Sequence, residues 1–290
     1  MGIETVAVTG GSGKVGNAAI AVLNERGYRT INFDVVAPSE PAADEYVEVD
    51  LVNAGETWAA IGEWDVDAAI HLGTIIHPRS DPGHVVFESN AMTAYHVLAA
   101  ASGLGLESVV LASSINAMGW SFQEESPAVE YLPIDEDHPV SPRDPYALGK
   151  YVIEVLADGF ARMPHGPTRI ASMRYPGVRS ADRLAEMAAD PQSVAELRDA
   201  AGNPSGAYIA AADAGRICAD AVAADFTGHE VFWATAADVA IDGTAADVAD
   251  VLYPDAERRR PLEGNETLFD ISKAARLLEW EPKRSWRDLR

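Results

Sequence analysis

Residues 5–16 read Thr5-Val6-Ala7-Val8-Thr9-Gly10-Gly11-Ser12-Gly13-Lys14-Val15-Gly16, and this stretch decides the fold. It opens with an apolar run typical of a buried strand, and a helical pattern follows from about residue 14 to residue 26. The glycines therefore lie where a strand turns into a helix. Such glycines let the backbone approach a pyrophosphate closely, and the helix N-terminus offers N–H groups to the anion. The stretch predicts a dinucleotide-binding unit, with cofactor contacts at Gly10, Gly13, Lys14, Val15 and Gly16.

The residues that end the following strands extend this prediction. Asp34 ends the second predicted strand, eighteen residues beyond Gly16. A carboxylate there accepts both hydroxyls of an adenosine ribose and repels a 2′-phosphate. We therefore expect NAD; because Lys14 is close enough to weaken this preference, NADP stays open. Further cofactor contacts are expected after the third and fourth strands, at Asp50, Leu51, Leu72 and Gly73.

Short β-rich runs alternate with helical patterns along the first part of the chain, which is typical of parallel strands joined by crossover helices. Six strands precede residue 175, and the runs at 208–209 and 231–233 come later. The pattern predicts an α/β fold: a Rossmann-type doubly wound parallel sheet of about seven strands with a small C-terminal substrate-binding lobe. The expected dinucleotide-binding domain covers 1–174 plus about 206–225, and the expected lobe covers about 175–205, with one helix near 181–201, plus 226–290.

The charge of the chain limits its partners. Its 290 residues carry 45 acidic against 22 basic side chains, for a net charge of −23. A field this negative repels nucleic acid and anionic membranes, so neither is an expected partner. Only four of the cations are lysines, and many acids with few lysines fit a protein kept soluble in concentrated salt, where self-repulsion is screened. We therefore expect a halophilic source with a salt-rich cytoplasm.

The chain gives no sign of export, membrane insertion or metal binding. Apolar runs such as 109–112 are far shorter than the roughly 20 residues that span a bilayer, and the chain opens without a basic leader. A soluble, cytoplasmic protein is expected. Cys218 is the only cysteine, so we expect it to be a buried small apolar side chain, and the histidines lack metal-ligand spacing. We assign no metal, and we expect His71, at the end of the fourth strand, to be structural.

Two side chains near the start of a predicted helix carry the strongest chemical signal. Tyr146 and Lys150 are four residues apart, which places them on one helical face, so the ammonium can lower the phenol pKa and let it exchange a proton with a substrate hydroxyl. This spacing alone is common by chance. It gains weight from Ser114, which ends the fifth strand at the sheet edge where α/β folds bind ligands. Asn90, on the helix before that strand, is a further candidate that orders a water or the backbone, or else is a helix-surface residue.

Taken in order, the glycine loop, the strand-end aspartate, Ser113-Ser114, Tyr146-x-x-x-Lys150 and Arg174-Tyr175-Pro176-Gly177 resemble the extended short-chain dehydrogenase/reductase family, the NAD-dependent epimerase/dehydratase group. The resemblance covers essentially the whole chain. It implies that Ser114, Tyr146 and Lys150 are catalytic and that Tyr175, Pro176 and Val178 contact nicotinamide. It also implies a homodimer or homotetramer that pairs through the helices predicted at 84–102 and 145–161.

Two departures from the family pattern narrow the function. Only about thirty residues separate Val178 from the strand at 208–209, so the substrate pocket is expected to be small. Family dehydratases place Asp-Glu after the catalytic hydroxyl, whereas this chain has Ile115-Asn116, which argues against a dehydratase and loosely resembles uronate dehydrogenases. Expected substrate contacts are Thr74, Ile75, Ser114, Asn116 and Arg174.

The leading hypothesis is an NAD(P)-dependent sugar dehydrogenase that oxidises the anomeric hydroxyl of a sugar, sugar phosphate or sugar acid to a lactone. The alternative is a nucleotide-sugar epimerase, which uses the same three residues but regenerates its NAD in each cycle. A third reading is a non-catalytic dinucleotide sensor, which the joint presence of Ser114, Tyr146 and Lys150 disfavours.

Overall fold

The computed structural model describes residues 2–120, 129–167, 169–197 and 205–290. Its strands are β1 (Thr5–Thr9), β2 (Arg29–Asp34), β3 (Glu45–Glu48), β4 (Ala68–His71), β5 (Ser108–Ser114), β6 (Tyr131–Leu132), β7 (Arg169–Tyr175), β8 (Gly177–Arg179), β9 (Tyr208–Ala210), β10 (Gly228–Trp233) and β11 (Glu257–Arg258). Its helices are α1 (Lys14–Glu25), α2 (Ala54–Glu63), α3 (Gly83–Leu104), α4 (Pro145–Ala161), α5 (Ala181–Ala189), α6 (Val194–Leu197), α7 (Ala211–Ala223), α8 (Ala245–Leu252) and α9 (Ser272–Leu278). Two short 3-10 turns cover Ile115–Met118 and Trp286–Leu289.

Seven strands form one parallel sheet in the order β3-β2-β1-β4-β5-β7-β10. The strand order reverses between β1 and β4, because the chain leaves β3 at one edge and crosses back to the other side of β1. In open α/β sheets, ligands bind at the carboxyl ends of the strands beside such a reversal. The predicted doubly wound parallel sheet of about seven strands is confirmed, and its switch point places the glycine loop at the ligand-binding edge.

Apolar helix faces cover both sides of this sheet. On one side, α1 and α7 bury Ile20, Leu23 and Ile217 against β1 and β7. On the other side, α2, α3 and α4 pack their apolar faces against the same strands. Cys218 on α7 is fully buried in the first layer, as its sequence context predicts. The two layers fix α1 and α4, the helices whose first turns approach the ligand-binding edge.

The later part of the chain differs from the sequence prediction in three places. β10 pairs with β7 as the outer strand of the central sheet, although residues 226–290 were expected to lie in the lobe. β9 pairs with β8 outside that sheet, whereas 206–225 was expected in the main domain. The helix expected over 181–201 is broken into α5 and α6 at Pro191, because proline disfavours a helical conformation at the residue before it. Residues 198–201 of the expected helix lie outside the described part.

A separate apolar cluster lies beyond the sheet. It joins Trp120, Trp233 and Phe269 with α8, and the ring centres of Trp233 and Phe269 are 4.7 Å apart. The exact bounds of the two domains remain a prediction. Within the residues described above, no helix combines the length and apolar character needed to cross a membrane.

Candidate active site

In the glycine loop between β1 and α1, the positions of Gly10 and Gly16 have no room for a side chain. Gly10 has a φ of +66°, and a Cβ added there would lie 2.6 Å from the backbone nitrogen of Gly73. A Cβ on Gly16 would lie 2.3 Å from the Gly10 carbonyl oxygen, so α1 packs directly on the loop. No side chain caps the start of α1 at Gly13, so its first N–H groups face the sheet edge. This bare backbone fits a pyrophosphate, as the sequence predicts.

Sequence reasoning missed one residue of this loop. A Cβ on Gly11 would come 2.2 Å from Oδ1 of Asn32, whose side chain is buried beneath the loop. Nδ2 of Asn32 donates to Ser12 Oγ at 3.1 Å, which holds the loop from below. The glycine spacing at 10, 13 and 16 could not reveal Gly11, because its constraint comes from a side chain on β2.

Asp34 lies at the end of β2 with its carboxylate beside the glycine loop. Its two oxygens accept hydrogen bonds from the backbone N–H groups of Ser12 and Val36, each at 3.1 Å. The carboxylate is therefore held in one orientation at the position where the sequence predicts the ribose contact. The Lys14 ammonium instead donates to the Val178 carbonyl at 3.1 Å, which links α1 to β8.

Asp34 is expected to set the cofactor preference. Replacing it with asparagine keeps the shape but removes the charge that repels a 2′-phosphate, and Asp34→Arg adds a phosphate partner. We expect Asp34→Arg to weaken NAD binding about 10-fold, the equivalent of one charged hydrogen bond, and to strengthen NADP binding. Calorimetric titration with both dinucleotides measures this. Equal NAD affinity in wild type and Asp34→Arg would contradict the assignment.

The chain after β4 and β3 forms the next part of the edge. A Cβ on Gly73 would lie 2.6 Å from Leu51 Cδ1, so these two predicted residues are in contact, and the Leu72 N–H donates to Thr9 Oγ1 at 3.2 Å. Asp50 is exposed, and its carboxylate accepts from the Val52 N–H. Leu51, Leu72 and Gly73 thus border the glycine loop, and the Asp50 carboxylate is held by its own turn.

Asn90 is a buried residue of α3 and not a helix-surface residue. Its amide oxygen accepts from the Ile75 N–H at 2.7 Å, and its amide nitrogen donates to the Ile75 carbonyl at 3.0 Å. The side chain therefore fixes the half-buried loop that carries Thr74 and Ile75. Of the roles expected from sequence, the geometry supports ordering of the backbone.

His71 is buried with both ring nitrogens occupied. Nδ1 shares a hydrogen bond with Thr9 Oγ1 at 2.8 Å, and Nε2 shares one with Thr93 Oγ1 at 3.3 Å. Burial, aided by the charge of Lys150, lowers the pKa of His71 to about 3, so the imidazole stays neutral. These contacts support the structural role expected from the sequence.

Ser114, Tyr146 and Lys150 converge at the carboxyl ends of β5 and β4. Asp144 caps α4 by accepting from the Ala147 N–H at 2.8 Å, and Pro145 begins the helix, so Tyr146 lies in its first turn. The Tyr146 hydroxyl is hydrogen-bonded to Ser114, whose Oγ also accepts from the Asn116 N–H at 3.1 Å. The three side chains that the sequence grouped by spacing are brought together by the fold.

Lys150 is held by two oxygens. Its Nζ donates to the Ala112 carbonyl at 2.7 Å and to Thr74 Oγ1 at 3.0 Å, and it lies 5.8 Å from the centre of the Tyr146 ring. Burial lowers the pKa of Lys150 to about 7. Thr74, expected to contact substrate, is therefore a partner of the lysine.

The phenol of Tyr146 differs from expectation in its pKa. Burial raises the pKa of Tyr146 to about 12, the Ser114 hydrogen bond lowers it, and the charge of Asp144 raises it further. The expected lowering by Lys150 is absent: burial, Ser114 and Asp144 shift this pKa, although the ammonium lies 5.8 Å from the ring centre. At this pKa the phenol of the unliganded protein keeps its proton at neutral pH.

Arg174 was expected to contact substrate, and the structure does not support this. Its guanidinium is buried and makes a two-pronged ion pair with Glu154, with Nε and Nη2 at 2.9 and 2.8 Å from the two carboxylate oxygens. Nη1 donates to the Glu136 carbonyl at 3.3 Å, and the group stacks 5.0 Å from the Trp233 ring centre. A charge neutralised inside the protein is not available to a ligand.

The segment expected to contact nicotinamide follows β7. The Tyr175 hydroxyl points into the core, where it donates to the Ala214 carbonyl at 3.2 Å and lies 2.9 Å from Cys218 Sγ, so its side chain serves packing against α7. Its backbone carbonyl, however, lies 3.5 Å from Ser114 Oγ. Pro176 is buried and Val178 is half-buried. The backbone of this segment, more than the tyrosine ring, borders the candidate site.

A serine–histidine–aspartate arrangement lies elsewhere in the protein, but it is not a second active site. His229 Nε2 lies 2.8 Å from Ser172 Oγ, and its Nδ1 lies 2.7 Å from Asp158 Oδ1. Ser172 is fully buried in the middle of β7, so no substrate can reach its hydroxyl. The three residues tie β10 and α4 to β7. In the described residues, no group of three or more His, Cys, Asp or Glu side chains could hold a metal ion.

Comparison with known proteins agrees with this geometry. A family model described as NAD dependent epimerase/dehydratase family matches residues 6–198, more than half of the chain. The chain belongs to the NAD dependent epimerase/dehydratase family. Its members are NAD-dependent enzymes, so membership in the epimerase/dehydratase family accounts for the bare glycine loop and the strand-end aspartate together.

Curated relatives and solved structures both resemble this chain. A UDP-glucose 4-epimerase from Azospirillum brasilense is 30% identical over 184 residues, covering 61% of this chain and 50% of that protein, so the chain spans about half the length of the curated relatives it matches. Two solved structures share the fold. A mutated uronate dehydrogenase has a TM-score of 0.68 and 24% identity, and the match covers 99% of this chain and 85% of that one. The UDP-glucose 4-epimerase of Thermotoga maritima has a TM-score of 0.69 and 20% identity, and the match covers 98% of this chain and 96% of that one. At these identities the two structures show that the fold is shared.

Proposed function

We propose that the protein oxidises the anomeric hydroxyl of a sugar, sugar phosphate or sugar acid to a lactone. The observation that carries this proposal is the hydrogen-bonded pair of Ser114 and Tyr146 beside Lys150, at the sheet edge that also holds the glycine loop. NAD, when bound, supplies the hydride acceptor. The short lobe after β8 favours a small substrate over a nucleotide sugar.

The chain's own residues have separate tasks in this reaction. The glycine loop and Asp34 would hold the dinucleotide, and Lys150 would bind its nicotinamide ribose from its place beside Thr74. Ser114 Oγ would hold the substrate hydroxyl, and Tyr146 would take its proton. A phenol with a pKa of about 12 rarely lacks its proton at neutral pH, so we expect oxidation to speed up as the pH rises above 7.

Arg179 suggests that the substrate carries a negative charge. Its guanidinium is partly buried, and both burial and the charge of nearby Arg183 lower its pKa. No carboxylate in the described ranges lies within ion-pair distance of Arg179, although the chain has a large excess of acids. Arg183 is exposed and ion-paired with Glu186, so Arg179 is the cation that would bind a carboxylate or phosphate. With Arg174 neutralised, Arg179 replaces it as the proposed substrate contact.

The Arg179→Gln variant is expected to raise KM for a uronic acid or sugar phosphate about 10- to 100-fold, the loss of one charged hydrogen-bonded contact. The KM for the corresponding neutral sugar should change less than about threefold. Arg258→Gln, which removes a half-buried cation paired with the exposed Asp250, is the matched control. Steady-state kinetics with the two substrates give both KM values. An equal rise in both would contradict the role of Arg179 in binding a negative charge.

A nucleotide-sugar epimerase is the second candidate, favoured by the curated relatives, which are UDP-glucose 4-epimerases. The test is the absorbance of reduced nicotinamide with NAD or NADP and a panel of aldoses, sugar phosphates, uronic acids and UDP-sugars. We propose a salt-rich cytoplasm as its setting, so the assay is run both in molar KCl and without salt. Net reduction supports the dehydrogenase. Conversion of a UDP-sugar without net reduction, on protein that retains NAD, supports the epimerase.

We also propose that the protein pairs through α3 and α4. The outer faces of these helices expose large apolar side chains, including Tyr95 at 43% and Val155 at 48%, which a second copy would cover. Val155→Asp is expected to give a monomer by light scattering in high salt. Val52→Asp, equally exposed but ahead of α2, should leave the assembly unchanged. A wild-type monomer would contradict this proposal.

A further inference from the structure

A buried polar network ties together the elements that carry the candidate catalytic residues. Glu154 is at its centre: Oε1 accepts from Ser113 Oγ at 2.6 Å and from Arg174 Nε at 2.9 Å, and Oε2 accepts from Arg174 Nη2 at 2.8 Å. The Glu154 and Arg174 side chains are only 6% and 4% exposed. These contacts join α4 to the ends of β5 and β7.

Each member of the network is next to a residue of the site. Ser113 precedes Ser114, and Arg174 precedes Tyr175, which pairs with Ser114 across the two strands. On α4, Tyr146, Lys150 and Glu154 follow each other at intervals of four residues. Residues so spaced share one face of a helix, so the contact that orients Glu154 also orients the other two side chains.

The same arginine also reaches the chain that leads into α4. Its Nη1 donates to the Glu136 carbonyl, and the Glu136 carboxylate accepts from the Trp233 N–H at 3.0 Å. The loop before α4, the helix itself and three strand ends are therefore joined by one network, with the Glu154–Arg174 ion pair at its centre. A shift of α4 along or around its axis would break this pair.

We propose that Glu154 and Arg174 are positioning residues, which hold α4 on β5 and β7 so that Tyr146 and Lys150 stay aligned with Ser114. The proposal rests on the proposed function only in taking these three side chains as the reacting set. It assigns Glu154, which has no place in the chemistry, a measurable effect on rate. It also explains why Arg174 is conspicuous in sequence next to the site without being able to bind substrate.

The test must separate positioning from mere stability. The double variant Glu154→Leu/Arg174→Met removes both charges together, a replacement that buried ion pairs often tolerate without loss of stability. Its matched control is Arg26→Met/Asp220→Leu, which removes a partly buried ion pair between α7 and the end of α1. Thermal unfolding shows that each variant is folded. If the double variant does not fold, Glu154→Gln, which keeps the side-chain shape, takes its place.

Two readouts respond to the position of Tyr146. With a substrate from the panel, we expect the double variant to lose about 30-fold in kcat with KM within threefold of wild type, because a displacement near 1 Å can cost up to about 100-fold. Arg174→Lys, which keeps the charge, should recover part of that loss. The second readout needs no substrate: NMR titration of 13C-labelled tyrosine, with Tyr146→Phe to assign the signal, should show the Tyr146 pKa rising further, because the Ser114 hydrogen bond that lowers it is lost.

The outcomes are distinguishable from those of the proposed function. A folded double variant with wild-type kcat, or with an unchanged Tyr146 titration when no substrate is found, would overturn the positioning role. If no substrate of the panel is turned over by the wild type, the proposed reaction fails, and the titration still decides whether the ion pair positions Tyr146. A loss of rate in the Arg26/Asp220 control equal to that of the double variant would also overturn the proposal.

Discussion

Replacing Tyr146 with phenylalanine is expected to lower kcat about 1000-fold, within the range that a positioned acid–base group contributes. The phenol hydroxyl is hydrogen-bonded to Ser114, and it is the only group that this change removes. Folding should be preserved, since the ring stays in its buried place. The measurement is steady-state oxidation of whichever panel substrate the wild type uses, followed over pH.

The pH profile adds a second check on the same residue. Because burial raises the pKa of Tyr146 to about 12, the wild-type rate should climb with pH above neutrality. Tyr146→Phe has no phenol to ionise, so its residual rate should climb less with pH. Tyr151→Phe, a change on the same helix at a half-buried tyrosine, should leave both rate and profile unchanged. Retention of most turnover in Tyr146→Phe would refute the assignment.

Substituting alanine for Gly16 is expected to reduce NAD affinity about 10- to 100-fold, the equivalent of a 1–3 kcal/mol overpacking penalty. The new Cβ would lie 2.3 Å from the Gly10 carbonyl oxygen and 2.6 Å from Gly11 Cα. Both atoms belong to the backbone, so the loop itself must move, and its N–H groups would leave the place where we expect them to meet the pyrophosphate. Calorimetric titration with NAD gives the affinity.

A matched change elsewhere tests the steric cause. Gly159 lies in α4 with nothing within 4 Å of an added Cβ. Gly159→Ala should leave NAD affinity unchanged and raise the free energy of unfolding by about 0.5–1 kcal/mol, because alanine is the better helix former. Equal NAD affinity in Gly16→Ala and wild type would show that the glycine loop does not hold the dinucleotide as described.

Much of the fold follows from short-range features of the sequence. The helix predicted over 145–161 has the same bounds as α4, because Asp144 caps it, Pro145 opens it and apolar residues recur along one face. The six strands predicted before residue 175 likewise correspond to the central strands β1 to β5 and β7. β8 is not among the predicted strands, since its three residues form a strand only through pairing with β9. A pairing of that kind carries no local signal.

The sequence by itself determined the α/β class, the glycine loop at the ligand edge, the strand-end Asp34 and the shared face of Tyr146 and Lys150, because each depends on residues close together in the chain. Only the tertiary structure decided which charges are free. Arg174 meets Glu154 twenty residues away, while the partly buried Arg179 lies beside a second arginine. It also decided that burial, and not a neighbouring ammonium, governs the Tyr146 pKa. Neutralisation and desolvation depend on neighbours that are distant in sequence, so no local pattern can reveal them.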